Sequence, residues 1–226
     1  RPTTLKQRFK SDNKTVFKLS KLNSSFISQE VEDEILNKIK KIINNVDIII
    51  YSDFSYGCLT RDLINKINAL ARKNNIIISS DSQSSSQIGD LKKFNKIELV
   101  TPTEYEARVS LDNFEDGLVV LADKLSKEIK VKNILLKLGK EGVLIYNNKG
   151  KEYVVDNLES FANNPIDENG AGDCMMVASV LNYNINKNIW ISAFLGSIAA
   201  AIQISKVGNS PIHINDLLSL VRRIEE

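Results

Sequence analysis

The sequence predicts an α/β fold with a mostly parallel sheet. Three observations carry that reading. Short apolar runs such as Ile48-Ile49-Ile50, Ile76-Ile77-Ile78 and Ile134-Leu135-Leu136 lack polar alternation, as in strands covered on both faces. Segments with helical spacing of apolar residues separate them. Strands alternating with helices in this way build a parallel sheet.

The elements follow in order. Residues 3–20 alternate polar and apolar in places around Asp12-Asn13, the pattern of a hairpin or two short strands. Residues 28–44 place Val31, Ile35, Ile39, Ile42 and Ile43 on a helix, and Val46 to Tyr51 form a buried strand. A helix over 60–73 precedes the strand Ile76–Ile78, and Ile97 to Val100 make the next, ended by Pro102. Thr103 caps a short helix from Glu104 to Ser110. Residues 114–130 form an amphipathic helix before the strand Ile134–Leu136. Val143–Tyr146 and Tyr153–Val155 pair antiparallel around 147–150. Helices over 173–183 and 187–205 and a last one near 214–224 complete the chain. No repeat or linker interrupts it, so 1–226 reads as one domain, with 1–20 as lid or edge strands.

The 226 residues suffice for a substantial core. With 42% apolar residues, 26% charged residues and a net charge of +2, nothing points to a nucleic-acid or membrane surface. Cys58 and Cys174 stand far apart, which suits a reducing cytoplasm and offers neither a disulfide framework nor metal-ligand spacing. The single histidine, His213, argues against chemistry built on a histidine base. The chain opens Arg-Pro-Thr-Thr without a signal peptide or initiator methionine and reads as part of something longer.

The densest chemical signal is Pro165 to Cys174, Pro-Ile-Asp-Glu-Asn-Gly-Ala-Gly-Asp-Cys. Gly170, Ala171 and Gly172 open an apolar helix, and a helix start presents unpaired N–H groups and a positive dipole end. That suits an anion such as a phosphoryl group in transfer. Asp173 beside such a turn is placed to take a proton from an attacking hydroxyl. An ordinary helix-opening turn carries the same residue types. Ligands of open α/β sheets bind at the carboxyl ends of strands, where Asp53, Asp81, Thr103 and Gly139 fall.

Three segments together resemble the ribokinase-like (PfkB-type) carbohydrate kinases. Ile166 to Asp173 is similar to the family's signature, Thr101-Pro102-Thr103-Glu104-Tyr105-Glu106-Ala107 to its Asn-x-x-Glu segment, and Leu136 to Val143 to its nucleotide-binding strand and glycine turn. Ala199-Ala200-Ala201 and Val207-Gly208 continue the pattern. Arg1 to Arg8, Ser52-Asp53-Phe54 with Gly57, and Lys206 to Pro211 resemble the heptose 7-phosphate kinase branch of ADP-heptose synthesis. The resemblance implies a three-layer ribokinase-like fold of which the chain is roughly the C-terminal two-thirds. It implies ATP-dependent phosphorylation of a sugar or sugar phosphate with Mg²⁺. A homodimer and a nucleotidyltransferase domain, fused or separate, are implied as further partners. A catalytically impaired nucleotide- or sugar-binding domain is the alternative.

The resemblance also assigns roles. Asp173 is the base, and the backbone of Gly170, Ala171 and Gly172 holds the moving phosphoryl group. Glu106 organises Mg²⁺ and its waters, or is an ordinary helix residue. Asp167 helps bind a monovalent cation, or caps its turn. Thr103, Lys137, Gly139, Gly142, Ser197, Ala200 and Gly208 line the nucleotide site, although the small residues of the Ala-rich helix also suit close packing. Lys6 and Arg8 share a strand face suited to a sugar-phosphate anion, or protect an exposed edge. Asp53 anchors sugar hydroxyls or caps the next turn. The polar run Asp81 to Gln87 lines the site or is a loop. Thr103 and Asn169 depart from the family's Asn and Thr.

Overall fold

A computed structural model describes residues 2–11, 14–84, 87–162 and 165–225. The turn expected at Asp12-Asn13, and Ser85 and Ser86 of the polar run, lie outside the described residues.

A six-stranded sheet forms the centre, with its strands in sequence order. It comprises β3 (Ile48–Asp53), β4 (Ile77–Ser82), β5 (Leu99–Val100), β6 (Asn133–Lys137), β7 (Val143–Asn148) and β8 (Tyr153–Leu158). β3 to β6 run parallel, and β7 and β8 add antiparallel at the far side. The helices are α1 (Gln29–Ile42), α2 (Arg61–Lys73), α3 (Glu104–Leu111), α4 (Leu118–Ile129), α5 (Ala171–Asn186), α6 (Ile189–Ile204) and α7 (Ile214–Glu225).

Strand alternation divides the apolar residues between two cores. Ile134, Leu136, Leu144 and Tyr146 join one with Leu63, Ile64 and Ile67 of α2 and Leu121 and Leu125 of α4. Leu135, Val143 and Ile145 join the other with Met175, Val180 and Tyr183 of α5 and Ala193 of α6. Helices therefore cover both faces, which gives the three-layer ribokinase-like α/β architecture. Thr60 caps α2 by accepting the Leu63 N–H at 3.1 Å, and the Asn188 side chain caps α6. Gly196 lets α5 and α6 meet: a Cβ there would lie 2.1 Å from Ser179 Oγ.

Two boundaries differ from expectation. β4 continues past the isoleucines to Ser82, and all six of its residues are buried. Asp81 and Ser82 are therefore strand residues rather than the start of a loop. The helix expected from residue 114 begins at Leu118, because Gly117 occupies its N-cap in extended conformation.

β1 (Leu5–Ser11) and β2 (Lys14–Lys21) form a separate two-stranded antiparallel sheet, with Phe9 opposite Phe17. A bulge follows Phe9. Leu5, Phe9, Phe17 and Leu19 lie on its exposed face. From the other face Lys6 reaches Phe54 and Tyr56, and Lys10 reaches Asp167. The hairpin thus lies against the segment after β3 and against Asp167.

Candidate active site

Gly170, with φ 83°, turns the chain into α5, and Asp173 falls in the first turn of that helix. The left-handed conformation suits glycine, and a Cβ at Gly170 would lie 2.4 Å from Asn209 Oδ1. α5 therefore aims its first N–H groups and positive dipole end at the space in front of Asp173. The Gln83 side-chain amide donates to Asp173 Oδ1 at 3.0 Å.

The end of β4 and the end of β6 deliver opposite charges to this point. Lys137 Nζ donates to Asp81 Oδ1 at 3.0 Å, and Thr101 Oγ1 donates to the same oxygen at 3.2 Å. Asp81 is 1% exposed, and its Oδ2 is buried without a hydrogen-bond partner. A Cβ on Gly172 would touch Lys137 Nζ at 3.0 Å, so the ammonium lies against the turn itself. Burial, and then the charge of Asp81, push the Asp173 carboxyl above the usual carboxylate range; Lys137 and the Gln83 amide pull it back.

Thr103 and Glu106 form a reciprocal cap at the start of α3. Glu106 Oε2 accepts the Thr103 N–H at 2.8 Å, and Oε1 accepts the Ser84 N–H at 3.0 Å. Glu106 is thus a buried clamp between α3 and the segment after β4, not an ordinary exposed helix residue. A parallel bridge joins Thr103 to Lys137, which sets the cap beside the residue that carries the ammonium.

Asp167 is buried and fully engaged. Its Oδ2 accepts from Lys10 Nζ at 2.8 Å and from the Gly208 N–H at 3.2 Å. Its Oδ1 accepts from the Asn169 N–H at 3.2 Å and from the Asn169 side-chain amide. The Lys10 ammonium, and then the Asn169 N–H, hold the Asp167 carboxyl well below the usual carboxylate range. Asn169, one of the two departures from the family pattern, thus serves inside the turn. Gln203, 1% exposed in a mostly apolar helix, donates to the carbonyls of Asn169 at 3.2 Å and Gly208 at 2.8 Å. Sequence reasoning missed it; its only signal was a lone amide among the apolar residues of α6.

Other expected site residues have different surroundings. Asp53 Oδ1 accepts the Ser55 N–H at 3.1 Å, and its Oδ2 accepts from Ser55 Oγ, Ser82 Oγ and, at 2.6 Å, Lys93 Nζ. It caps a turn, as the second reading of the sequence expected, and forms a buried ion pair beside the cavity at the end of β3. Lys6 Nζ lies 5.0 Å and 5.1 Å from the ring centroids of Phe54 and Tyr56, while Arg8 is exposed beside it. Gly139, with φ 63°, faces open space, whereas a Cβ on Gly142 would lie 2.0 Å from the Leu158 carbonyl oxygen. Gly142 therefore serves strand packing. Ser197 is buried with no partner for its hydroxyl, and Ala200 packs on the α5–α6 core.

A cavity of about 600 Å³ opens at the end of β3 between Pro2–Thr4 and Ile50–Leu59. Another of about 500 Å³ lies beside Leu138 and Glu141 against the start of α4. Among the described residues no helix is long and apolar enough to cross a membrane.

Comparison with known proteins extends this geometry. The chain is 26% identical over 221 residues to the bifunctional protein HldE of Sulfurimonas denitrificans, covering 96% of this chain and 44% of that protein. It is 24% identical over 231 residues to HldE of a Nitratiruptor species, covering 100% of this chain and 47% of that protein. The chain thus spans just under half the length of these curated relatives. In fold it is similar to phosphofructokinase-2 from Escherichia coli in complex with potassium, with TM-score 0.75 and 16% identity over 93% of this chain and 67% of that one. Ribokinase of Arabidopsis thaliana complexed with ribose and ATP gives TM-score 0.67 and 17% identity, covering 88% of this chain and 60% of that one. Residues 2–214 match the pfkB family carbohydrate kinase description, and the chain belongs to that family.

Proposed function

We propose that the chain carries the phosphoryl-transfer machinery of an ATP-dependent sugar-phosphate kinase, with heptose 7-phosphate as the favoured acceptor. The observation that carries this reading is Asp173 in the first turn of α5, with Lys137 against the same turn. Asp173 accepts the proton of the attacking hydroxyl while that oxygen forms a bond to the γ-phosphorus. The bond from phosphorus to the bridging β-oxygen breaks, and ADP leaves with its electron pair. The N–H groups of Gly170 to Asp173 and the Lys137 ammonium face the negative charge of the phosphoryl oxygens. The HldE likeness supports the heptose branch and a nucleotidyltransferase partner, fused or separate.

Magnesium fits the oxygen donors here, since Asp81 Oδ2 is an orphaned buried acceptor. Asp81 would hold it directly, and Glu106, whose oxygens each accept a backbone N–H, would do so through waters. When bound, the ion neutralises phosphate charge. Gly139 and Gly208, both without a neighbour for a Cβ, leave room on that side for a nucleotide. Lys6 and Arg8, on one face of the lid, remain the cations for the acceptor's phosphate. The apolar outer face of the lid, with Phe9 and Phe17, supports a homodimer through that hairpin. Two unpaired cysteines fit a reducing cytoplasm.

The test is coupled ADP release from the purified protein with ATP, Mg²⁺ and a panel of sugar phosphates that includes heptose 7-phosphate. ADP release dependent on a sugar phosphate is expected. Nucleotide binding without release for any acceptor would overturn the catalytic reading.

A further inference from the structure

The resemblance assigned Asp167 to a monovalent cation, and a solved neighbour was obtained with potassium. The surroundings of Asp167 do not fit such an ion. A carboxylate offers about four acceptor positions, and Lys10 Nζ, the Gly208 N–H, the Asn169 N–H and the Asn169 amide take them. Lys10 also supplies the charge. An ammonium carries the same unit charge as K⁺, is close to it in size, and here makes a direct contact of 2.8 Å.

The hairpin is built to deliver this group. Lys6, Arg8 and Lys10 recur at every second position of β1, so an even strand puts them on one side. The bulge between Phe9 and Lys10 then re-aims the last of them. Asp167 in turn holds the start of the Glu168–Asp173 turn through Asn169 and the loop after α6 through Gly208, and Gln203 ties the same two segments. A buried carboxylate in that position needs a cation.

We infer that the Lys10 ammonium is the resident monovalent cation of this protein: it occupies Asp167 in place of K⁺, and seating of the hairpin completes the turn that carries Asp173. The inference rests on reading Glu168–Asp173 as the phosphoryl-transfer turn.

The test compares the purified protein with its Lys10→Ala variant in KCl and in tetramethylammonium chloride at equal ionic strength. Thermal unfolding and calorimetric binding of a non-hydrolysable ATP analogue are read, and crystals soaked in RbCl are examined for anomalous scattering at Asp167. The unsubstituted protein is expected to give the same midpoint and affinity in both salts and no rubidium peak. Lys10→Ala is expected to lose about tenfold in nucleotide affinity in tetramethylammonium, as for a hydrogen bond to a charged group. KCl should restore that affinity and raise the midpoint, rubidium should appear at Asp167, and adding Asp167→Asn should abolish the response. A K⁺ response or rubidium peak in the unsubstituted protein, or a variant indifferent to K⁺, would overturn the inference. If neither protein binds the nucleotide, the kinase reading fails, and the unfolding midpoints and rubidium peaks still decide the role of Lys10.

Discussion

The Lys137 ammonium stands 3.0 Å from Asp81 Oδ1 and packs against Gly172, so one cation at the end of β6 serves the end of β4 and the start of α5 together. Neither acid of the cluster is isolated: Asp81 opposes ionisation of Asp173, and Lys137 favours it.

The pH profile should respond to each partner with opposite sign. The rising limb of kcat/KM reports the base in the free enzyme, and burial with Asp81 places it above the ordinary aspartate range. Asp81→Asn removes a negative neighbour and should move the limb to lower pH, read at saturating Mg²⁺ because the same change removes the proposed Mg²⁺ ligand. Lys137→Met should move it to higher pH, with a fall in kcat of about 10²–10³, the cost of losing one donor to the transition state. Steady-state rates across pH 4–9 check both; limbs that stay in place would separate Asp173 from proton transfer.

Asp173→Asn should lower turnover by about 10²–10⁴ while nucleotide affinity stays near that of the parent. It should also stabilise the protein at neutral pH. The folded pKa of Asp173 lies above its unfolded value, so its contribution favours folding at acid pH and is lost as pH rises through the folded pKa. The stability difference should therefore vanish on acidification. Denaturant melts at neutral pH and near pH 3 test this, and a variant less stable at neutral pH would contradict it.

The ion pair between Asp53 and Lys93, 3% and 9% exposed, makes a structural claim that can be separated from function. Asp53→Asn leaves a buried ammonium unmatched and should cost about 3–5 kcal/mol. Removing both charges, as Asp53→Asn with Lys93→Met, should recover much of that loss. Urea unfolding of the single and double variants gives the coupling.

Phe17 is 55% exposed and stands 5.6 Å from Phe9, ring centroid to centroid, on the outer side of the lid. If a second copy covers this face, Phe17→Lys should convert dimers to monomers with little change in unfolding midpoint. Sedimentation equilibrium distinguishes the states, and a parent protein monomeric at every loading concentration would exclude this use of the face.

Periodicity made most of the fold legible. Ile134-Leu135-Leu136 reads as a strand covered on both sides, and β6 sends those residues alternately to the two cores. The polar part of β4 was not legible. Ser79, Ser80, Asp81 and Ser82 have the composition of a loop, yet lie buried in the sheet because parallel pairing with β3 and the helices on both faces enclose them. The Asp173 turn and the Thr103 cap could be named from local pattern, whereas the reciprocal bond from Glu106 came with the structure. The pairing of Asp81 with Lys137 spans 56 residues and that of Lys10 with Asp167 spans 157, and no local spacing encodes either. The partner of Asp53 was hidden for the same reason: nothing local to a carboxylate at a strand end announces Lys93, 40 positions on.

The hairpin supplies a last consequence. In β1 every residue except Lys6 is exposed, so the lid has almost no buried apolar surface of its own. Two of its lysines reach the rest of the protein, one on an aromatic pair and one on a carboxylate. Such attractions weaken as counterions accumulate, the partly buried Lys10–Asp167 pair less steeply than an exposed one, while the apolar cores on the central sheet carry no charge to screen. Ionic strength should therefore act on this molecule as a latch: amide protons of the lid exchange faster as salt rises, and those of the sheet keep their protection.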